Sequence, residues 1–242
     1  MPLYREEAVV LRSYKLGEAD RIVVFFSRGR GKVRGVAKGA RRTKSRFGSK
    51  LEPGAILQLQ LYEGRNLDTV TQAERVEPLL DMRANFARAA VLLESIDAVA
   101  NEDDPNPAMY KLLTGALREL DRTGNALVVP AFVGRLLTLE GVQPHMESCV
   151  SCGAPPPIVT VDASAGGVFC SRCRRGHPIS EPARVAFAQV LAGQVRHVLD
   201  TTTDSVAAEL EALAARMVEQ HIERRLKSAM VLHDQMEIAS EP

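Results

Sequence analysis

Leu57-Gln58-Leu59-Gln60-Leu61 alternates apolar and polar side chains with period two. That is the pattern of a strand buried on one face. Glu63-Gly64-Arg65-Asn66 follows as a hairpin turn, and Leu67-Asp68-Thr69-Val70-Thr71 reads as the returning strand. Upstream lie three more runs of strand length: Ala8-Val9-Val10-Leu11, Ile22-Val23-Val24-Phe25-Phe26 and Lys32-Val33-Arg34-Gly35-Val36-Ala37. About five short strands in the first 78 residues fit a small closed barrel such as an OB-fold, with an SH3-like barrel left open.

Beyond Pro78 the period changes to three and four. Met82, Phe86, Ala89, Ala90, Leu93 and Ile96 form one helical stripe. Asn106-Pro107 can cap and start a second helix, with Leu112, Leu113, Ala116, Leu117 and Leu120 on its core face. A third is expected from about 126 to 140, with Pro130 in its first turn and a stop at Gly141. Ser180-Glu181-Pro182 opens a fourth, and a fifth is expected over roughly 204–228, with Val206, Leu210, Leu213, Met217 and Leu226 on one side. Residues 234–242 are polar and expected to fray.

Between the third and fourth helices sit all four cysteines: Cys149-Val150-Ser151-Cys152 and, with seventeen residues between, Cys170-Ser171-Arg172-Cys173. Each CxxC places two thiolates on one tight turn, and two such turns closing on each other surround a metal ion tetrahedrally. Gly153 suits the bend after the first pair, and Gly166-Gly167 a hairpin between them. Two disulfides or a thioredoxin-type redox pair are the alternatives. The chain opens on charged residues with no apolar signal segment, so the expected compartment is reducing and favours metal. The expectation is one structural zinc ion on Cys149, Cys152, Cys170 and Cys173, with His177 a surface histidine. Helices on both sides of this element suggest one helical domain with a zinc ribbon inserted into it.

The formal net charge of +1 hides a segregation. From Arg28 to Lys50 there are ten Lys/Arg and no Asp/Glu, which leaves 21 basic against 30 acidic residues elsewhere. A concentrated cationic segment on an otherwise acidic chain points to a polyanion such as nucleic acid. A solvated basic loop and a patch for an acidic protein are the competing readings. Arg34, Lys38, Arg41, Arg42, Lys44 and Arg46 are the candidate contacts, because cations neutralise phosphates and release counterions. The interleaved Gly29, Gly31, Gly35, Gly39 and Gly48 suggest a loop that follows a backbone closely. Gly29-Arg30-Gly31-Lys32 is not a phosphate loop, since Val33 stands where Ser or Thr is needed. Phe47, Tyr14 and Tyr62 are aromatics that could stack on bases or pack in the core. Glu102-Asp103-Asp104 reads as a solvated acidic connector. The histidines (His145, His177, His197, His221 and His233) are scattered and no catalytic motif occurs, so the chain is expected not to be an enzyme. No apolar stretch is long enough to span a bilayer.

Several stretches together resemble one known family. Glu7-Ala8-Val9-Val10-Leu11-Arg12, Gly17-Glu18-Ala19-Asp20-Arg21, Gly35-Val36-Ala37-Lys38-Gly39-Ala40-Arg41-Arg42, Ser45-Arg46-Phe47 and Leu51-Glu52-Pro53 are similar to the RecO family of bacterial recombination mediators. So is Leu136 to Pro144 leading into Cys149-Val150-Ser151-Cys152-Gly153. The resemblance implies an α+β, multidomain chain: an OB-fold at 1–79, a helical domain at 80–148 and 180–242, and the four-cysteine insert at 149–179. It implies binding of single- and double-stranded DNA, ATP-free annealing of complementary strands, and loading of RecA recombinase onto strands coated by single-strand-binding protein. Implied partners are RecR and the acidic C-terminal tail of single-strand-binding protein, in the bacterial cytoplasm at the nucleoid. Lys38, Arg41, Arg42 and Arg46 fall on the family's DNA-contact motif. A zinc-ribbon transcription or RNA-binding factor, and a nucleic-acid-modifying enzyme docking through the barrel, are the alternative functions.

Overall fold

The computed structural model describes residues 2–77, 85–229 and 232. Five strands close a barrel: β1 (Leu3–Leu16), β2 (Asp20–Ser27), β3 (Gly31–Ala37), β4 (Ile56–Tyr62) and β5 (Asp68–Arg75). Their order around the barrel is β1-β2-β3-β5-β4, all antiparallel except the β3–β5 closure. A single 3-10 turn, Gly48–Leu51, lies between β3 and β4. This is OB-fold topology, and it decides against an SH3-like barrel. The inward row is Ala8, Val10, Val23, Phe25, Val33, Leu57, Leu59, Leu61 and Val70, as the period-two pattern requires.

Phe47 joins that core, 1% exposed. The candidate stacking ring is therefore a barrel plug, and only its outer neighbour Arg46 meets solvent, 5.0 Å from the ring centroid. The glycines also have internal duties. A Cβ on Gly35 would lie 2.9 Å from Val70 Cγ2 inside the barrel. Gly31 has φ +67°, and a Cβ there would meet the Asp104 carbonyl. Both are demanded by packing and not by a ligand's approach. The Gly29-Arg30-Gly31-Lys32 segment is the β2–β3 turn, closed by Arg30 N–H donating to Ser27 Oγ at 2.9 Å.

Two helices share a compact unit, residues 1–121, with the barrel: α1 (Phe86–Val99) and the bulk of α2 (Pro107–Thr123). Met82, Pro78 and the 234–242 tail lie outside the described residues. Phe86, expected in the core stripe, is 57% exposed; α1 instead buries Ala87, Ala89, Val91, Leu92, Leu93, Ser95 and Ile96. Asn106 caps α2 as expected, its Oδ1 accepting from Met109 N–H at 2.9 Å.

The second compact unit spans 122–242. Its described helices are α3 (Val128–Leu139), α4 (Glu181–Leu191), α5 (Val195–Thr201) and α6 (Asp204–His221). The apolar stretch at 126–134 becomes α3, buried almost all round between α4 and α6. Gly134 is its contact point with α4, where a Cβ would press on Phe187, Val190 and Leu191 at 3.2–3.3 Å. The short α5 was not expected from the sequence. The last long helix stops at His221 and not near 228: Glu223 takes φ +53°, and Leu226 N–H turns back to donate to Glu219 Oε1 at 2.9 Å. Among the described residues no helix is long and apolar enough to cross a membrane.

Phe47→Ala should destabilise the first unit by about 3–5 kcal/mol, the cost of emptying an aromatic site in a packed core. The chain has no Trp, and its four tyrosines (Tyr4, Tyr14, Tyr62, Tyr110) all lie in this unit. Urea unfolding followed by tyrosine fluorescence therefore reads it directly. An unchanged midpoint would contradict the core assignment.

Candidate functional site

The ten-cation run is divided by the fold. Four of the cations meet carboxylates, Lys32 and Arg34 on β3, Arg30 in the β2–β3 turn and Lys50 in the 3-10 turn, while Arg28 is exposed and has no carboxylate partner among the described residues. Lys32 Nζ lies 3.7 Å from Asp97 and donates to the Asp97 carbonyl at 2.7 Å. Arg34 pairs with Glu102 at 2.8 Å, Lys50 with Glu74 at 2.9 Å, and Arg30 approaches Glu63 at 3.9 Å while lying over the Tyr4 ring. The acidic connector Glu102-Asp103-Asp104 is solvent-exposed, as expected, but it is also tethered: Lys32 N–H donates to the Asn101 carbonyl at 2.9 Å, and Glu102 bridges onto β3.

The β3–β4 loop is different. Lys38, Arg42, Lys44 and Arg46 are exposed and have no carboxylate partner among the described residues. Arg41 is exposed too, but it is anchored: its guanidinium donates to the carbonyls of Gly17 and Glu18 at 3.2 and 3.0 Å. Its backbone N–H donates to the Ala19 carbonyl at 2.9 Å. Asp20 Oδ1 accepts from Gly39 N–H at 2.7 Å, and Arg21 donates to Ser13 Oγ at 2.7 Å. The Gly17–Arg21 stretch therefore holds the basic loop against the β1–β2 turn. Sequence reading assigned those residues no role, although two carboxylates, Glu18 and Asp20, in a short turn after Gly17 were the available signal. Of the six candidate contacts, four stand free of carboxylates, Arg41 shapes the loop, and Arg34 is shared with Glu102.

The four-cysteine element is built on a three-stranded sheet, β7 (Gly167–Cys170), β6 (Ile158–Asp162) and β8 (His177–Pro178), in that order. Gly166, at φ +64°, turns the β6–β7 hairpin. At the first CxxC, Gly153 takes φ +72° and donates to the Cys149 carbonyl at 2.8 Å; at the second, Cys173 N–H donates to the Cys170 carbonyl at 3.2 Å. The four Sγ atoms lie within 4.8 Å of one another, with Cys152 and Cys170 3.8 Å apart. All four cysteines are free, and a disulfide would need sulfurs about 2.05 Å apart. His177 is exposed and outside the group.

Backbone N–H groups favour the thiolate form. The N–H of Cys170, aided by those of Cys152 and Ser151 against the cost of burial, holds the Cys149 thiol down to about 6. Cys170 is lowered chiefly by the Cys173 N–H. At Cys152 the Ala154 N–H pulls the same way, but the sulfurs of Cys173, Cys149 and Cys170 push the thiol up to about 11. Four sulfurs this close cannot all ionise by themselves, and a cation among them relieves the conflict. The residues present can hold one metal ion. Arg184 ties the element to α4, donating to the Met146 carbonyl at 2.6 Å and pairing with Glu181 at 2.6 Å.

Two family models match the chain: Recombination protein O N terminal over residues 1–79 and Recombination protein O C terminal over 81–230. The chain is 39% identical over 245 residues to the DNA repair protein RecO of Cutibacterium acnes, covering 96% of this chain and 99% of that one. It is 42% identical over 238 residues to the protein of the same name from Nocardioides sp., covering 93% and 97%. The corresponding Frankia casuarinae protein is 40% identical over 238 residues, covering 94% and 97%. With both halves matched in order and the barrel, helices and cysteine element all in place, the chain belongs to the RecO family.

Proposed function

We propose that this protein is a DNA-binding recombination mediator in DNA repair, and that its loop 38–46 is the principal phosphate contact. The observation that carries the reading is the fold's division of charge. Lys32, Arg34 and Lys50 are spent on carboxylates, while Lys38, Arg42, Lys44 and Arg46 are left together on one loop without them; Arg28 is also unpaired among the described residues but lies outside that loop. Such a cluster neutralises phosphates of single or double strands without reading sequence. Bound loosely to one strand, it lowers the repulsion that a complementary strand meets, so annealing needs no nucleotide hydrolysis and no catalytic residue. Family membership supports the remaining parts: RecR and the acidic tail of single-strand-binding protein as partners, help in loading RecA onto coated strands, and work at the nucleoid.

The metal is proposed to be zinc. Zn–S bonds of about 2.3 Å in a tetrahedron place sulfurs about 3.8 Å apart, and Cys152 and Cys170 have that separation. When bound, zinc supplies a cross-link between the two CxxC turns in an element with little core of its own. Four thiolates leave no open position, so the role is structural.

Three outcomes test this reading. Lys38→Glu/Arg42→Glu/Lys44→Glu should weaken DNA binding severely and flatten the slope of log affinity against log salt by roughly 0.7 per lost single-strand phosphate contact. Arg41 is spared because its substitution would also unfasten the loop. An unaltered salt slope, measured by anisotropy titration, would place the site elsewhere.

Fluorescence-monitored annealing of complementary oligonucleotides should be faster than the protein-free rate, fall with added salt, and ignore ATP. Rates equal to the control at low salt, or dependent on ATP, would remove the mediator reading and favour the zinc-ribbon factor.

Purified protein should carry one zinc per chain by elemental analysis. Cys170→Ser should lose it, and acid should release it from the wild type as protons compete for the sulfurs. Zinc-free protein with four thiols titratable under native conditions would refute the assignment.

A further inference from the structure

The outer face of β1, β2 and β3 is split into a covered and an uncovered part. Strand register puts Arg12, Val24 and Arg34 in one row across the three strands. Both ends of that row are tied down, Arg12 to Asp97 at 2.6 Å and Arg34 to Glu102 at 2.8 Å. Further along, Phe26 meets Tyr110 of α2, ring centroids 6.2 Å apart. On the other side of the Arg12 row the register gives Tyr14, Ile22 and Val36. No described helix covers this row. Tyr14 is 40% exposed, while Ile22 and Val36 are partly exposed.

Two residues beyond Val36, just past the end of β3, comes Lys38, the first cation of the carboxylate-free loop. The Arg12 guanidinium lies 4.9 Å from the Tyr14 ring centroid, and its bond to Asp97 helps hold that side of the ring in place. An aromatic ring leading a short apolar row, with cations beginning where the row ends, matches a ligand with an apolar ring face and a negative charge in every repeat. That ligand is single-stranded nucleic acid; a duplex keeps its base faces stacked inside.

We propose that the Tyr14–Ile22–Val36 row is a base platform, with Tyr14 the ring on which one base of a single strand stacks while loop 38–46 holds the adjoining phosphates. The inference rests on the reading of that loop as the DNA site, and gives it a means of preferring single strands. Stacking uses the face of a base and leaves its pairing edge free, so a strand held this way can still meet its complement. Tyr62 is equally exposed and lies at the other end of the same register, two strands from Val36 through Thr69; what sets Tyr14 apart is the anchored Arg12 guanidinium against its ring and the apolar Ile22 between it and Val36.

The test compares three labelled probes at fixed salt: a thymidine oligonucleotide, an abasic strand of the same length, and a duplex. Wild type should bind the thymidine strand roughly 5- to 100-fold more tightly than the abasic strand, the range expected for one stacked base. Tyr14→Ala should erase that gap without weakening the duplex, and Tyr14→Phe should restore it. Equal binding of thymidine and abasic strands by wild type would overturn the platform. So would a Tyr14→Ala loss that is as large on the duplex as on the thymidine strand. The Lys38→Glu/Arg42→Glu/Lys44→Glu variant separates the two readings. If it loses the abasic strand while wild type ignores bases, the platform fails and the loop stands. If wild type binds no probe at all, both fail.

Discussion

Asp97 is 8% exposed and sits between Arg12 and Lys32. The Lys32 side chain beside it is 17% exposed, so removing Lys32 would leave a largely desolvated carboxylate, at a cost of at most the ~3–5 kcal/mol of a broken buried pair. Arg12 is half-exposed and contributes less. Together with Glu102 on Arg34, Asp97 anchors α1 and the segment after it to β1 and β3. The rest of the first unit follows from this. On the helical side of the barrel Lys32 and Arg34 are matched by carboxylates, and most of the unpaired positive charge of the 28–50 segment lies on the 38–46 loop. The cationic segment thus acts both as internal glue and as an outward surface, and the location of nearby carboxylates decides which.

Much of the barrel was legible because its pattern is local. The alternation at 57–61, the turn at 63–66 and the apolar runs at 8–11 and 22–26 each describe one strand by itself, and closure follows from burying five half-apolar strands. The four cysteines were equally legible, since two CxxC turns have few other uses in combination. For Phe47 the sequence allows both stacking and core packing, and Gly31 and Gly35 were misread, because their partners are distant in sequence. A ring among cations looks solvent-facing until Leu51, Ala55 and the strands close around it. A glycine among cations looks like a phosphate contact until Val70 or the Asp104 carbonyl occupies its Cβ space. The end of α6 was hidden for another reason. The apolar residue Leu226 continues the helical spacing, but it reaches the core after a left-handed turn at Glu223 and not along the helix.

In the second unit, a broad helical core and a small metal-binding element meet at the start of α4. Ser180 is the N-cap of that helix: its Oγ accepts from Ala183 N–H at 3.3 Å, and its own N–H and hydroxyl donate to the Glu209 carboxylate at 2.7 and 2.6 Å. Arg184, one turn on, reaches the Met146 carbonyl three residues before Cys149. The cysteine element is thereby fastened at both its ends to helices with an independent core. Its attachment is built from hydrogen bonds that involve none of the four cysteines.

The three hydrogen bonds that Arg41 sends to Gly17, Glu18 and Ala19 bind two loops at the same end of the β2–β3 pair into one body. An exposed turn is ordinarily where a chain accepts extra residues most easily. Here the turn at 17–19 is the template on which the basic loop is cast, so its length is as constrained as that of a buried strand. Lengthening one loop without a matching change in the other would leave Arg41 with no carbonyls to meet.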